Sequence, residues 1–239
     1  MTLNRPEKRN ALSIPLLAEI EATLNRWRHR EDLVVAVLTG AGGKAFASGG
    51  DLSELANLRT TDAALSFASG ACAALESIRS FPIPVIAALN GVAFGGGAEL
   101  AVACDLRIAA RHSRIGFLQG SLNISTAWGG GTDLLQLLPI NRALQLLCSA
   151  EVLDASTAKA IGLFDEVASD DDFGEAVKSF VGRFSSRKPQ VMRAFKTLAI
   201  MRRSGADREG RLAVERALFA ETWVHEDHWS APGATGVGR

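Results

Sequence analysis

Between residues 12 and 30 the apolar positions Leu12, Leu16, Leu17, Ile20 and Leu24 recur at three- and four-residue steps, which predicts an amphipathic helix. Ser13 followed by Pro15 suits an N-cap with a proline in the first turn. The period then changes. Residues 33–38, LVVAVL, are apolar throughout and predict a buried strand closed by Thr39 and Gly40. A glycine-rich loop, GAGGKAFASGGDLSEL, follows and runs into a helix capped by Asp51 or Ser53. Residues 62–78 read as an alanine-rich helix, which Phe81 and Pro82 interrupt.

The chain is organised around residues 83–110, IPVIAALNGVAFGGGAELAVACDLRIAA: buried strand, glycine turn, short helix, second strand. Beyond it come short apolar pieces, the triplet Gly129, Gly130 and Gly131, and a helix to about Leu138. Residues 141–149 and 156–161 predict helices, and LFDEVA reads as a strand. From Phe173 onward the pattern is almost wholly helical, with Val177, Phe180, Val181 and Phe184 on one face. An amphipathic helix over 212–224 presents Leu218, Phe219 and Trp223, and the closing APGATGVGR reads as a loose tail.

The chemistry concentrates at the glycines of the central stretch. Gly95, Gly96 and Gly97 permit backbone conformations and close approaches that a Cβ would block. A helix starting there points free N–H groups and partial positive charge into the turn, a place that holds a negative oxygen. Glu99, two residues past the last glycine, is placed to act on a molecule held there. The plainer alternative is a glycine turn that only lets a helix pack closely on a strand. Strand, glycine loop and helix occur twice, over residues 34–55 and 84–102. Two such loops can each give one N–H to the same oxygen, which a thioester or carboxyl oxygen gaining negative charge requires.

Composition narrows the alternatives. The chain has 239 residues, 47% of them hydrophobic, enough for one sizeable core and a small appendage. Its 26 basic residues balance 26 acidic ones, which argues against nucleic acid as a partner. Cys72, Cys104 and Cys148 are widely spaced in apolar surroundings, which fits a reducing cytoplasm and neither a disulfide framework nor a metal pattern. The N-terminus lacks the apolar core of a signal peptide, and Glu99, Asp105 and the glycines argue against a membrane span in the central run. Gly40 and Gly42 lack the third glycine of a dinucleotide fingerprint. His29, His112, His225 and His228 have no partners at metal spacing, and no histidine is placed to activate Ser48 or Ser125. Asp105 is expected to cap or pair in the core near Arg107.

Taken together, LNRPEKRNAL, KAFASGGDLSEL and IAALNGVAFGGGAELAVACDLRIA resemble, in order and spacing, the three main signatures of the crotonase (enoyl-CoA hydratase/isomerase) superfamily. The likeness continues through ALQLLCSAEVLDASTAKAIGLFDEV to the DDDF stretch. The resemblance implies an α/β fold, a spiral of repeated ββα turns over residues 1–180, with a C-terminal helical trimerisation region over 181–239 and assembly into trimers or hexamers. It implies an acyl-CoA thioester substrate, with coenzyme A as part of that substrate, no separate cofactor, no metal, and no membrane partner. By position in the motifs, Gly50 and Gly96 would supply the two oxyanion donors. Lys8, Ala11, Leu12, Ser48, Asp51 and Leu52 would line the CoA nucleotide and pantetheine, with Gly95 and Trp128 at the acyl end.

Glu99 matches one of the two acids with which hydratases of this family handle water and the α-proton; the second falls on Gln119, which can hold a water but not take its proton. The alternatives are that Glu99 merely suits a helix N-terminus, that Gln119 only shapes the pocket, and that Trp128 is a core aromatic. The WGGG sequence at Trp128 is closer to family members that decarboxylate malonyl-type CoA esters. Two departures accompany it. The chain opens at the LNRPEKRNAL signature, so the usual first strands are expected to be absent or short, and it closes on HWSAPGATGVGR, from which weaker nucleotide binding is expected. Hydration or isomerisation of an enoyl-CoA is the leading expectation, followed by decarboxylation of a malonyl-type CoA and by non-catalytic acyl-CoA binding.

Overall fold

The structure is a computed structural model that describes residues 1–169 and 172–232. Asp170 and Asp171 of the DDDF stretch, and most of the segment read as a loose tail, lie outside the described residues. Strands β1 (Thr2–Leu3), β2 (Ala36–Gly40), β4 (Val85–Leu89), β6 (Leu106–Ala110) and β9 (Glu166–Ala168) form a parallel sheet in the order β1-β2-β4-β6-β9. A second sheet holds β3 (Ala45–Ala47), β5 (Val92–Phe94) and β7 (Arg114–Gly116) in parallel, with β8 (Val152–Asp154) antiparallel to β7.

From β2 to β7 the chain visits the two sheets alternately. Each turn lays one strand in the first sheet, one in the second, and then a helix: β2, β3 and α3 (Thr61–Arg79); β4, β5 and α4 (Gly96–Ala103); β6, β7 and α5 (Gly130–Leu137). This is the ββα spiral that the sequence resemblance implies. The three-residue strands of the second sheet escaped the sequence pattern because they are too short to show a period, and β3 and β5 are also embedded in glycine loops. The first predicted strand also begins later than expected, at Ala36.

Burial explains the uniform hydrophobicity of β4, whose five residues are all buried. Val85, Ala87 and Leu89 face the main core, which includes Leu38, Phe46, Leu75, Leu100 and Phe117. Ile86 and Ala88 face the other way, onto Phe180, Val177, Val181 and Phe184 of α8 (Phe173–Ser185). Helix α1 (Ile14–Trp27) begins as expected, with Ser13 Oγ accepting from Leu16 N–H, and buries Leu17, Ile20 and Leu24.

Of the two roles expected of Asp105 the structure shows pairing, at a partly buried position and with partners distant in sequence. Asp105 accepts from Val85 N–H at 2.7 Å, from Lys196 Nζ at 2.6 and 2.8 Å, and from Arg203 Nη1 at 2.9 Å. Both cations come from α9 (Pro189–Arg203), so the cluster ties the C-terminal helices to the junction of α4 and β6. Among the described residues no helix is long and apolar enough to cross a membrane.

Candidate active site

The two glycine loops meet. Leu12 pairs with Gly50 in an isolated parallel bridge, with Leu12 N–H donating to Gly49 O at 2.8 Å and Asp51 N–H donating to Leu12 O at 3.1 Å. That pattern turns the Gly50 N–H away from Leu12, on the opposite edge of the strand. Gly96 is the first residue of α4, so its N–H has no acceptor within the helix. One aromatic ring touches both glycines: a Cβ on Gly50 would sit 3.7 Å from Trp128, and one on Gly96 would sit 2.2 Å from it. Gly50 and Gly96 therefore both lie beside the Trp128 ring, and a side chain on Gly96 would have to displace that ring.

The next glycine does the plainer job foreseen for the turn. A Cβ on Gly97 would lie 2.0 Å from Ala47 O, so α4 can rest on β3 only because Gly97 has none. Packing and amide presentation are thus divided between adjacent residues, and Gly95, at φ +51, makes the corner just before them.

Glu99 is 2% exposed and both of its carboxylate oxygens accept hydrogen bonds. Oε2 accepts from Trp128 N–H and Gly130 N–H, both at 2.9 Å, at the N-terminus of α5. Oε1 accepts from Gln119 Nε2 at 2.8 Å. Burial pushes the Glu99 pKa above its usual 4.5, against the pull of the Gly130 and Trp128 N–H groups and the Gln119 amide, which favour the anion. The close fit depends on Gly130, where a Cβ would lie 2.4 Å from Glu99 Cβ.

Gln119 is itself 8% exposed, on the one-turn segment Leu118–Leu122 after β7. With Nε2 given to Glu99, its Oε1 is left buried without a hydrogen-bond partner. This orientation matches donor to acceptor while Glu99 is ionised. Protonating Glu99 would let the amide turn over and accept instead.

The residues expected along CoA also come together. Ser48 N–H donates to Arg9 O at 3.1 Å and Ser48 Oγ to Lys8 O at 3.4 Å, so residues 8–12 and 48–52 run side by side. Ala11 and Leu12 are buried in this seam, while Lys8 and Leu52 are exposed. Asp51 caps α2 (Leu52–Leu55) through Ser53 N–H and pairs with Arg5 at 3.0 Å, and these hydrogen bonds to Ser53 and Arg5 hold its pKa down. Trp128 is 5% exposed and meets Phe67 edge-on at 5.8 Å, so it is both buried aromatic and wall of the glycine site.

The sequence did not single out Arg79, Asp133 or Phe67. Arg79 looked like an ordinary basic residue in a last helical turn, yet it is 8% exposed. Among the described residues no group of three or more His, Cys, Asp or Glu side chains is placed to hold a metal.

The sequence matches the family described as enoyl-CoA hydratase/isomerase over residues 1–234. The chain belongs to that family. Among its relatives is the short-chain-enoyl-CoA hydratase of Clostridium acetobutylicum, 32% identical over 97% of this chain and 88% of that protein. The mouse ethylmalonyl-CoA decarboxylase is 32% identical over 97% of this chain and 70% of that protein. Among solved structures, the enoyl-CoA hydratase of Bacillus anthracis superposes with a TM-score of 0.91 at 31% identity, covering 98% of this chain and 90% of that one. This enoyl-CoA hydratase/isomerase family member therefore has its Glu99, Gln119 and glycine amides on an established family frame.

Proposed function

We propose that this family member hydrates an α,β-unsaturated acyl-CoA thioester through an enolate-like state. Gly50 and Gly96 donate their N–H groups to the thioester oxygen, and Glu99 serves as the one acid–base residue. The observation that carries this is the Glu99–Gln119 pair. Gln119 gives its N–H to the carboxylate and keeps a buried, unpartnered Oε1, which suits the acceptance of a hydrogen bond from the attacking water.

The proton account then closes with one acid. Glu99 takes a proton from water as the oxygen bonds to Cβ, and the carbon–carbon π electrons move onto the thioester oxygen. Two amide donors there lower the barrier by a few kcal/mol each. The enolate collapses as Glu99 returns the same proton to Cα. A carboxyl group with a raised pKa suits both halves, since it must take a proton and then release it. Isomerisation uses the same carboxylate to move a proton between Cα and Cγ.

A second reading, decarboxylation of a malonyl-type CoA, is favoured by Trp128. Its ring gives an apolar wall beside Gly50 and Gly96, and loss of carbon dioxide needs the oxyanion donors more than a second acid. The ethylmalonyl-CoA decarboxylase among the relatives supports the same direction. The exposed Phe219, Trp223 and Val224 of α10 (Arg208–Val224) are assigned to contacts between copies in a homotrimer or hexamer.

Mass spectrometry of the protein incubated separately with crotonyl-CoA and ethylmalonyl-CoA tests this. Gain of water on the first establishes hydration with a glutamine at position 119. Loss of carbon dioxide from the second alone overturns it in favour of decarboxylation. Binding of both without product would make the chain an acyl-CoA binder.

A further inference from the structure

The loop that grips Glu99 is itself gripped from behind. Arg79, the last residue of α3, donates from Nη2 to Trp128 O at 2.9 Å and from Nε to Asp133 Oδ2 at 2.9 Å. Its Nη2 also lies 2.8 Å from Asp133, and Nη1 lies 3.5 Å from Glu76. Asp133 sits in the first turn of α5, so one guanidinium holds the loop and the helix that follows it. Gly129, between the two amides that bind Glu99, has φ +91, and a Cβ there would lie 2.7 Å from Arg79 Nη2. The guanidinium thus occupies the space behind the turn, and the turn's front supplies the Trp128 and Gly130 N–H groups to Glu99 Oε2.

Taking Glu99 as the acid–base residue proposed above, we infer that Arg79 is a positioning residue for catalysis: it fixes the Trp128–Gly130 turn so that both amides reach the Glu99 carboxylate. Arg79 touches neither Glu99 nor the glycine site. It acts through the Trp128 carbonyl and through Asp133. The planar fork suits this because it binds a carbonyl and a carboxylate at once, which a lysine cannot do in the same geometry.

The consequence for Glu99 has a definite sign. Amide donors favour the carboxylate, so loosening them raises its pKa further above the ordinary value. A base that must be ionised then loses activity at a higher pH than before. The charged and titratable groups around Arg79 are Asp133, Glu76 and Cys72, with Arg203 of α9 lining the same cleft; around Glu99 the polar neighbours are Gln119 and the amides of residues 127, 128 and 130.

The test compares wild type, Arg79→Met, Arg79→Lys and Glu99→Gln on the acyl-CoA the protein turns over. Arg79→Met is expected to lower kcat on the order of a hundredfold with little change in KM, and to move the acid limb of the kcat profile to higher pH. Arg79→Lys should recover part of kcat. Arg79→Met leaves Asp133 buried without its cation, so the double variant Arg79→Met/Asp133→Leu, which buries no unpaired charge, guards against simple unfolding. Arg79→Ala adds a rescue arm. A cleft of about 290 Å³ lined by Cys72, Glu76, Thr132 and Gln136 opens onto Arg79, so guanidinium ion at sub-denaturing concentration should restore kcat there and sodium should not.

A folded Arg79→Met or double variant with wild-type kcat and an unmoved pH limb overturns the positioning role. Lost activity with an unmoved limb and no guanidinium rescue overturns it as well, in favour of plain stability. Full activity in Glu99→Gln would instead overturn the role of Glu99, whatever the Arg79 variants do.

Discussion

Gly130 and Glu99 share one space: the Gly130 N–H donates to Glu99 Oε2 at 2.9 Å, while a Cβ on Gly130 would lie 2.4 Å from both Glu99 Cβ and Cγ. Gly130→Ala should therefore push Glu99 off its hydrogen bonds. We expect kcat to fall on the order of a hundredfold with KM nearly unchanged, because a small displacement of a reacting group is costly in rate. Steady-state kinetics would check this, and unchanged kcat would mean that Glu99 does not work from the observed position.

At Gly96 the obstacle is an aromatic ring. Gly96→Ala would place its Cβ 2.2 and 2.3 Å from Trp128 ring carbons, so either the ring or the amide must move. Turnover is expected to drop about a hundredfold to a thousandfold, the range for losing an oxyanion donor. Adding Trp128→Ala should relieve the clash and return part of the activity. Failure of that double variant to improve on Gly96→Ala would show that the ring is not what the new methyl meets.

The burial of Glu99 gives stability a definite dependence on pH. Burial raises its folded pKa above the ordinary carboxylate value, so between those two pH values the folded chain holds a proton that the unfolded chain has lost. Its contribution to stability is fully present below the unfolded pKa and is lost as pH rises through the folded one. Glu99→Gln has no such proton, and its amide oxygen can still accept from Trp128 and Gly130. Thermal melts should show the variant gaining on wild type as pH rises from acid toward neutral, with a level gap beyond. A gap independent of pH would mean that Glu99 does not titrate differently on folding.

Lys196 is 2% exposed and anchors α9 to Asp105. Burial lowers its pKa against the opposing pull of Asp105. Lys196→Met should cost roughly 3 kcal/mol of stability, the scale for breaking a buried pair, read from chemical denaturation. Arg203 remains beside Asp105 and limits the loss. A loss below about 1 kcal/mol would place the pair with surface ion pairs.

The three thiols should separate cleanly. Cys148 is exposed, Cys72 half-buried and Cys104 buried, with its pKa pushed up to about 12 by burial. A thiol-alkylating reagent should label Cys148 first in the native protein and Cys104 only on unfolding. Native labelling of Cys104 would indicate that the α4 end opens readily.

Much of this protein was legible in its sequence, for local reasons. The helix of residues 14–27, the β4 run and the glycine turn each rest on period, capping or backbone freedom, which neighbouring residues settle among themselves. That Gly50 and Gly96, and Glu99 and Gln119, belong to one place was expected from the ordered motifs; that Gln119 donates to Glu99 was not. The three-residue strands were not legible, because the second sheet stabilises them and their own composition does not.

Tertiary structure alone decided which polar residues were buried and with whom. Arg79 and Lys196 read as ordinary charges along the chain, and Asp105 as a residue pairing near Arg107, yet Arg79 reaches Trp128 and Asp133, 49 and 54 residues away, and Asp105 is held by Lys196 and Arg203, 91 and 98 residues away. A buried charge needs its counterpart at hydrogen-bond distance, and only the folded chain supplies that distance. The sequence by itself determined a glycine turn followed by an acid; the packing of α3 and α5 around it decided that the acid is buried, held by two amides and backed by a guanidinium.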